Sequence, residues 1–247
     1  MTGPGVPYSI GSSKVVILTG AGISAESGIK TFRDNDGLWE NHKVEDVATP
    51  YAWQQNPELV WKFYQERRIQ LSEVTPNPAH YALVDLSSIC KEFTLITQNV
   101  DDLHERSGIK NVIHMHGELR RLKCEQTRIS EVRMANKDLE SKYIYCNCCS
   151  NPIKMRPDIV WFGEEPYHLN KIYHKIQDCD LFVVVGSSGN VYPAAGLVNL
   201  ASNFGAHTIL FNLEEPINSN EFEEIIVGPA GTTLSKWVNK INNYENQ

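Results

Sequence analysis

Two short polar segments carry the residue types needed for acid–base chemistry on a bound small molecule. Thr97-Gln98-Asn99-Val100-Asp101-Asp102-Leu103-His104 follows the apolar run Phe93–Ile96, and Val112-Ile113-His114-Met115-His116-Gly117-Glu118-Leu119 comes soon after. In open α/β sheets ligands sit at the carboxyl ends of strands, where amides and carboxylates can hydrogen-bond ribose hydroxyls and a carboxamide. Helix capping by Asn99 or Asp101 would account for the same residues without a ligand. An imidazole titrates near neutral pH, so a histidine before glycine, with room for a substrate beside it, suits a general base. His116 fits that description; a lone histidine is more often structural, the reading open for His114.

A second group has the pattern of a phosphate loop. Lys14–Leu18 (KVVIL) runs into Thr19-Gly20-Ala21-Gly22-Ile23-Ser24-Ala25, the loose form of the strand-Gly-x-Gly-x-x-Gly/Ala-helix fingerprint. Glycines there let the backbone approach a pyrophosphate, although a tight structural turn would look the same. A dehydrogenase would place an acidic residue about 20 positions on, to hold a ribose. Here the chain continues Ser27-Gly28-Ile29-Lys30-Thr31-Phe32-Arg33-Asp34, then Gly37-Leu38-Trp39. That stretch reads as a lid over a nucleotide, or as a surface loop with one buried Phe.

Two further features call for an explanation. A helix opening at Asn56-Pro57 puts Val60, Phe63, Tyr64 and Leu71 on one stripe, with Arg67 on the same stripe. A buried unpaired guanidinium is costly, so an internal carboxylate or an open cavity has to face it. Of six cysteines, Cys124, Cys146, Cys148 and Cys149 cluster, which in a cytosolic chain reads as metal before disulfide. Cys90 and Cys179 read as small core fillers.

The elements that must position these residues alternate between strand and helix patterns. Lys14–Leu18, Phe93–Ile96, Leu181–Val185 and Thr208–Phe211 are apolar runs of the kind buried on both faces of a parallel sheet. Helical patterns cover about 78–90, 169–177 and 193–204, and the end of the chain has Leu234, Trp237, Val238, Ile241 and Tyr244 at helical spacing. The expected fold class is α/β, a Rossmann-like doubly wound parallel sheet with a small cysteine-containing inserted module at about 120–154. Residues 1–13, rich in Gly, Pro and Ser, read as a flexible leader, and 14–247 as one catalytic domain. A net charge of −7 with scattered basic residues argues against direct nucleic-acid binding and is compatible with lysine-rich partners. No apolar run approaches the roughly 20 residues of a membrane span, and the expected location is the cytoplasm.

Taken in order, six pieces of this chain resemble the sirtuin family of NAD-dependent protein lysine deacylases. They are Gly20-Ala21-Gly22-Ile23-Ser24, Gly28-Ile29-x-Thr31-Phe32-Arg33, Thr97-Gln98-Asn99-Val100-Asp101, His114-x-His116-Gly117-Glu118-Leu119, Arg156-Pro157-x-Ile159-Val160-Trp161-Phe162-Gly163-Glu164 and Gly186-Ser187-Ser188. The match runs from about Lys14 to Val238, and Val44–Pro50 is most similar to the bacterial class III branch. Val100 and Ser187 stand where Ile and Thr are usual, conservative departures.

The resemblance implies that NAD is consumed: the acyl oxygen attacks the nicotinamide-bearing ribose carbon, and an alkylimidate forms. His116 would then activate a ribose hydroxyl, giving free lysine and O-acyl-ADP-ribose. It assigns Asn99 and Asp101 to the ribose and carboxamide regions, and Gln98 and the adjoining Val100 to the same strand end. The cofactor would also meet Gly20, Ala21, Gly22 and Ser24, with Thr31, Phe32, Arg33 and Trp39 on the lid side. Gly186, Ser187, Ser188, Asn212, Leu213, Glu214 and Ala230 would take the adenosine half, Ala230 from a turn. Val160, Trp161 and Phe162 would receive an extended acyl-lysine peptide by β-augmentation. Tyr64 and Arg67 match a Tyr-x-x-Arg pair whose phenol and fork-shaped cation could clamp a succinyl or malonyl carboxylate, with small Ala48 widening the pocket. Acetyl would be removed as well.

The metal pattern departs from the family. Its usual zinc site has two Cys-x-x-Cys pairs; here Cys146 and Cys149 supply one, while Thr127 stands where the partner of Cys124 should be. Tetrahedral structural zinc wants four ligands, so either Cys148 is the fourth or the site is metal-free. Two other functions would use the same pocket. A mono-ADP-ribosyltransferase is disfavoured by His116 and the Tyr64/Arg67 pair, and a non-catalytic NAD or acyl-lysine sensor by the complete catalytic set.

Overall fold

The computed structural model describes residues 9–30, 38–39, 42–133, 143–187, 194–215 and 219–245. Along the chain the strands are β1 (Lys14–Thr19), β2 (Leu38–Trp39), β3 (His42–Lys43), β4 (Glu92–Thr97), β5 (Ile113–His114), β6 (Gly117–Lys123), β7 (Ser130–Arg133), β8 (Arg156–Ile159), β9 (Leu181–Val185), β10 (His207–Asn212) and β11 (Glu224–Val227). The helices are α1 (Ala21–Ala25), α2 (Val44–Val47), α3 (Pro50–Gln55), α4 (Pro57–Glu73), α5 (Pro78–Ile89), α6 (Leu103–Ser107), α7 (Leu169–Gln177), α8 (Ala194–Asn203) and α9 (Ala230–Glu245).

Six strands form one parallel sheet in the order β11-β10-β9-β1-β4-β5. Alternate residues of a strand face opposite sides. Val15 and Ile17 accordingly pack with α5 and α9, while Val16 and Leu18 pack with α7 and α8. Both faces are covered, which is why the strands read as unbroken apolar runs. The fold is the expected doubly wound one, and strand order reverses between β1 and β9. A crevice opens at such a reversal, at the carboxyl ends of the strands.

The helix starts follow from their caps. Asn56 Oδ1 accepts from Leu59 N–H ahead of Pro57 in α4 (3.1 Å), and Asn77 and His80 cap α5 reciprocally. Within the stretch expected as a leader, Ser9–Ser13 contain a 3-10 turn whose Ile10 is fully buried in the core; residues 1–8 lie outside the described residues. A smaller antiparallel sheet, β7-β6-β8, flanks the region expected as the inserted module. Its strands begin at Gly117, before the expected boundary, and their Arg and Lys residues hide the apolar alternation. A third core holds this sheet against α3 and α4.

Candidate functional site

Three strand ends converge at the reversal. Gly20 N–H donates to Val185 O (2.9 Å) and Gly22 N–H to Gly186 O (2.8 Å), so the loop after β1 lies directly on the loop after β9. A Cβ on Gly20 would lie 2.7 Å from Gly186 O, one on Gly22 2.7 Å from the Gly186 Cα, and one on Gly186 (φ +63°) 2.4 Å from Ile23 N. Only glycine fits at all three positions. The end of β4 closes the group: Asn99 Nδ2 donates to Gly20 O and to Ser24 Oγ (both 3.1 Å), and Ser187 Oγ donates to Gln98 Oε1 (2.8 Å).

Asp101 is held on both oxygens. Oδ2 accepts from Ser24 Oγ (2.9 Å) and Oδ1 from Leu103 N–H (3.1 Å), so it caps the start of α6 and also ties α1 to β4. Burial raises its carboxyl pKa, against the pull of those two donors. The capping reading and the pocket reading therefore meet in one residue. Val100 is half-buried, and its carbonyl accepts from Leu119 N–H at 2.7 Å, which draws the His116 segment onto the end of β4.

Partners distinguish the two histidines. His116 Nδ1 lies 3.0 Å from Gln98 O. A carbonyl can only accept, so Nδ1 carries the hydrogen and Nε2 of the neutral ring is the basic nitrogen. Burial lowers its pKa, partly offset by the Gln98 carbonyl, which keeps the ring neutral at pH 7. His114 is bounded by acceptors on both sides, Glu105 Oε1 at 2.7 Å and Asn99 O at 3.4 Å. Burial disfavours its charge, but the Glu105 carboxylate outweighs that and raises the pKa. His114 is thus a brace tied to Glu105 and Asn99 O, and His116 the candidate base. Gly117 (φ +82°) permits this packing, since a Cβ there would sit 2.0 Å from Asp158 O.

On α4, Tyr64 is fully buried and its oxygen accepts from Trp161 Nε1–H at 2.8 Å. Arg67 is partly buried with 14% of its side chain exposed; its guanidinium stacks on the Phe63 ring at 4.5 Å. Arg67 Nη2 meets Glu66 at 3.4 Å, while Nε and Nη1 are buried without a hydrogen-bond partner among the described residues. The guanidinium buried at 0% exposure is the next residue, Arg68, whose Nε donates to Leu119 O at 2.8 Å. Its i+4 spacing from Tyr64 and i−3 from Leu71 is the signal that could have found it. Ala48 is buried, and its carbonyl accepts from Phe162 N–H (3.0 Å).

The expected peptide-binding strand is committed within the chain. Val160 N–H donates to His116 O (2.9 Å), Trp161 N–H to Glu164 Oε2 (2.9 Å) and Phe162 N–H to Ala48 O. An extended peptide would meet the carbonyls here and the Phe162 ring, which is 54% exposed. Sequence reasoning gave no role to Arg156, buried, stacked on Trp161 at 3.6 Å and paired with Glu164 at 2.6 Å.

At the far end of the crevice Asn212 is buried, its Nδ2 donating to Glu214 O (2.7 Å), and Leu213 and Glu214 are exposed. Ala230, expected in a turn, instead opens α9 and is buried in the core cluster that also holds Ile23. Leu213, by contrast, is 60% exposed. Ala21 is the first residue of α1. For Trp39 only the backbone, paired with His42, is described; Thr31, Phe32, Arg33 and Ser188 lie outside the described residues.

The cysteines converge as a set of four. The sulfurs of Cys124, Cys146, Cys148 and Cys149 all lie within 4.8 Å of one another, with Cys124–Cys149 at 3.6 Å and Cys148–Cys149 at 3.8 Å. Zinc–sulfur bonds of about 2.3 Å in a tetrahedron put sulfurs about 3.8 Å apart. The set fits zinc, with Cys148 in the fourth place. Thr127 Oγ1 lies 3.2 Å from Cys148 Sγ.

Residues 20–193 match the model of the Sir2 family, well over half of the chain. The chain belongs to the Sir2 family. A Salmonella typhimurium (strain LT2) relative named NAD-dependent protein deacylase is 49% identical over 240 residues, covering 95% of this chain and 86% of that protein. An Escherichia coli (strain K12) relative of the same name is 48% identical over 239 residues, covering 96% and 85%. Among solved Sir2 structures, an NAD complex of a Sir2 homologue matches with a TM-score of 0.84 at 38% identity, covering 96% of this chain and 93% of that one. Sir2Af2 bound to a myristoylated histone peptide matches at 0.74 and 32%, covering 96% and 95%. No helix among the described residues of this Sir2 protein is long and apolar enough to cross a membrane.

Proposed function

We propose that this chain is an NAD-dependent protein lysine deacylase that removes succinyl and malonyl groups as well as acetyl. NAD, when bound, supplies the electrophilic ribose carbon and the hydroxyl that receives the acyl group. Gly20, Gly22 and Gly186 let the loop after β1 lie main chain to main chain on the loop after β9, which sets the start of α1 at the strand ends where the pyrophosphate of NAD would lie. Asn99, Ser24 and Asp101, bonded to one another, and Gln98, bonded to Ser187, are the polar set for ribose and carboxamide. His116 takes the ribose hydroxyl proton on Nε2, and the Gln98 carbonyl keeps the required tautomer. Thr31, Phe32, Arg33, Trp39 and Ser188 keep the cofactor role the motifs imply. Asn212, Leu213 and Glu214 face the adenosine half; Phe162 and the carbonyls beside it face the acylated peptide, and a histone-peptide complex of a Sir2 relative supports a protein substrate. Cys124, Cys146, Cys148 and Cys149 hold a structural zinc away from the reaction.

The observation that carries the acyl preference is Arg67, whose Nε and Nη1 are buried without a partner among the described residues, three residues after Tyr64. Unmade hydrogen bonds on a buried cation are costly, and an acyl carboxylate would satisfy them. The test assays acetyl, succinyl and malonyl peptides with NAD, using wild type, His116→Tyr and Arg67→Met. Arg67→Met is expected to lower desuccinylation about 10- to 100-fold, far more than deacetylation, as loss of a charged hydrogen-bond pair implies. Equal losses on both peptides overturn the clamp. A protein that gains ADP-ribose instead of releasing free lysine overturns the deacylase reading.

A further inference from the structure

The four clustered cysteines come from two turns. In the first, Arg128 N–H donates to Cys124 O (2.8 Å) and Cys124 N–H to Ile129 O (3.0 Å), so the chain doubles back between β6 and β7. In the second, Cys146 N–H donates to Ile153 O (2.9 Å) and Ile153 N–H reaches Cys146 Sγ at 3.3 Å. Cys148 and Cys149 lie inside that second turn, and Cys149 Sγ is 3.6 Å from Cys124 Sγ. The first turn thus supplies one sulfur of the set and the second supplies the rest.

Three residues after a cysteine is where such a turn brings a second ligand back to the same metal. Thr127 stands at that place after Cys124. Its hydroxyl oxygen lies 3.2 Å from Cys148 Sγ and accepts from Ile129 N–H at 3.4 Å. A sulfur that binds zinc is a thiolate, with no hydrogen to give. The hydroxyl is therefore the donor to Cys148, while its oxygen stays an acceptor for Ile129. Four thiolates around one divalent zinc leave an excess of negative charge, which hydrogen bonds to the sulfurs spread. Cys146 receives such a bond from the Ile153 main chain, and Cys148 receives one from the Thr127 side chain. We infer that Thr127 is a positioning residue for the metal: its hydroxyl donates to Cys148 Sγ and holds that sulfur in the fourth ligand place, which the first turn leaves unfilled. The inference rests on the proposed zinc reading of the four cysteines.

The test measures zinc affinity by competition with a chromophoric chelator, beside the cobalt spectrum of the same proteins. Thr127→Val keeps the branched shape and removes the hydroxyl. It is expected to weaken zinc about 10-fold, the size of loss that hydrogen bonds to metal ligands carry. Thr127→Ser restores the hydroxyl and should bind within about 2-fold of wild type. In a Cys148→Ala background the Thr127→Val change should move affinity less than about 2-fold, because no sulfur is left to hold. A hydroxyl acting on the metal directly, or a turn that merely loosens, would cost the same in both backgrounds, and that result overturns the inference. So does a Thr127→Val protein that binds zinc as tightly as wild type. Should the valine variant fail to fold, Thr127→Ala removes the hydroxyl without bulk and gives the same reading. Wild type and Cys148→Ala separate the levels. If wild type takes up neither zinc nor cobalt, the zinc reading itself has failed. If Cys148→Ala keeps the four-thiolate cobalt spectrum, Cys148 is no ligand and the inference falls with it. If both behave as expected and Thr127→Val does not, only the positioning role has failed.

Discussion

Two imidazoles separated by one methionine are driven in opposite pKa directions, His114 up by the Glu105 carboxylate against burial and His116 down by burial. His114 lies between two acceptors, Glu105 Oε1 and Asn99 O, whereas His116 gives one hydrogen to Gln98 O and keeps a basic nitrogen. A base works only while neutral, and burial lowers the His116 pKa. The acid limb of kcat/KM should therefore fall below the ordinary histidine value of about 6.5, with activity held at pH 7 and lost only as pH drops through the lowered pKa. A limb at or above about 6.5 would contradict the assignment. His116→Tyr should cost about 100- to 10,000-fold in kcat while NAD binding, followed by calorimetry, persists. The sequence marks His116 through its place at a strand end and the glycine after it. It says less about α4: the periodicity points to Arg67 as the buried cation, and Arg67 is largely buried, yet the fully buried one is its neighbour Arg68, drawn in by Leu119 O. A tertiary acceptor decides between neighbours that helical spacing separates poorly.

Among the elements, the parallel strands and long helices are legible because each is buried on a wide apolar face, and most of the boundaries agree to within a residue or two. The small sheet is not. β6 spends Arg120, Arg121 and Lys123 on one short strand, and its pairing partner β8 comes after the cysteines. The four sulfurs meet only because β6 and the Cys146–Cys149 turn fold together, which no spacing rule foretells when Thr127 replaces a ligand. Purified protein should carry one zinc per chain by mass spectrometry, and cobalt substitution should give a tetrathiolate spectrum. Cys148→Ser should lose that spectrum and lower Tm, while Thr127→Ser should retain the metal. Full zinc occupancy in Cys148→Ser would remove Cys148 from the ligand set.

Across the whole molecule, two buried histidines couple stability to acidity. Burial holds His80 down to about 4, and burial with the nearby His80 and His114 charges holds His104 well below its usual range. Both are neutral in the folded chain, and their depressed pKa values mean the unfolded chain binds more protons below about pH 6.5. Their contribution is intact above that value and lost as pH falls toward the folded pKa. For His80 this is on the order of 1 kcal/mol by about pH 5.5. Denaturant unfolding at pH 7.5 and 5.5 should show the drop, and His80→Gln, which keeps an acceptor for Asn77 N–H, should shrink it. The loops after β1 and β9 set a last constraint, since main chain lies on main chain there with no space for any substituent. Such a seam offers protein engineers no handle. Changes at Gly20, Gly22 or Gly186 would unseat the strands before they altered any preference for one dinucleotide over another.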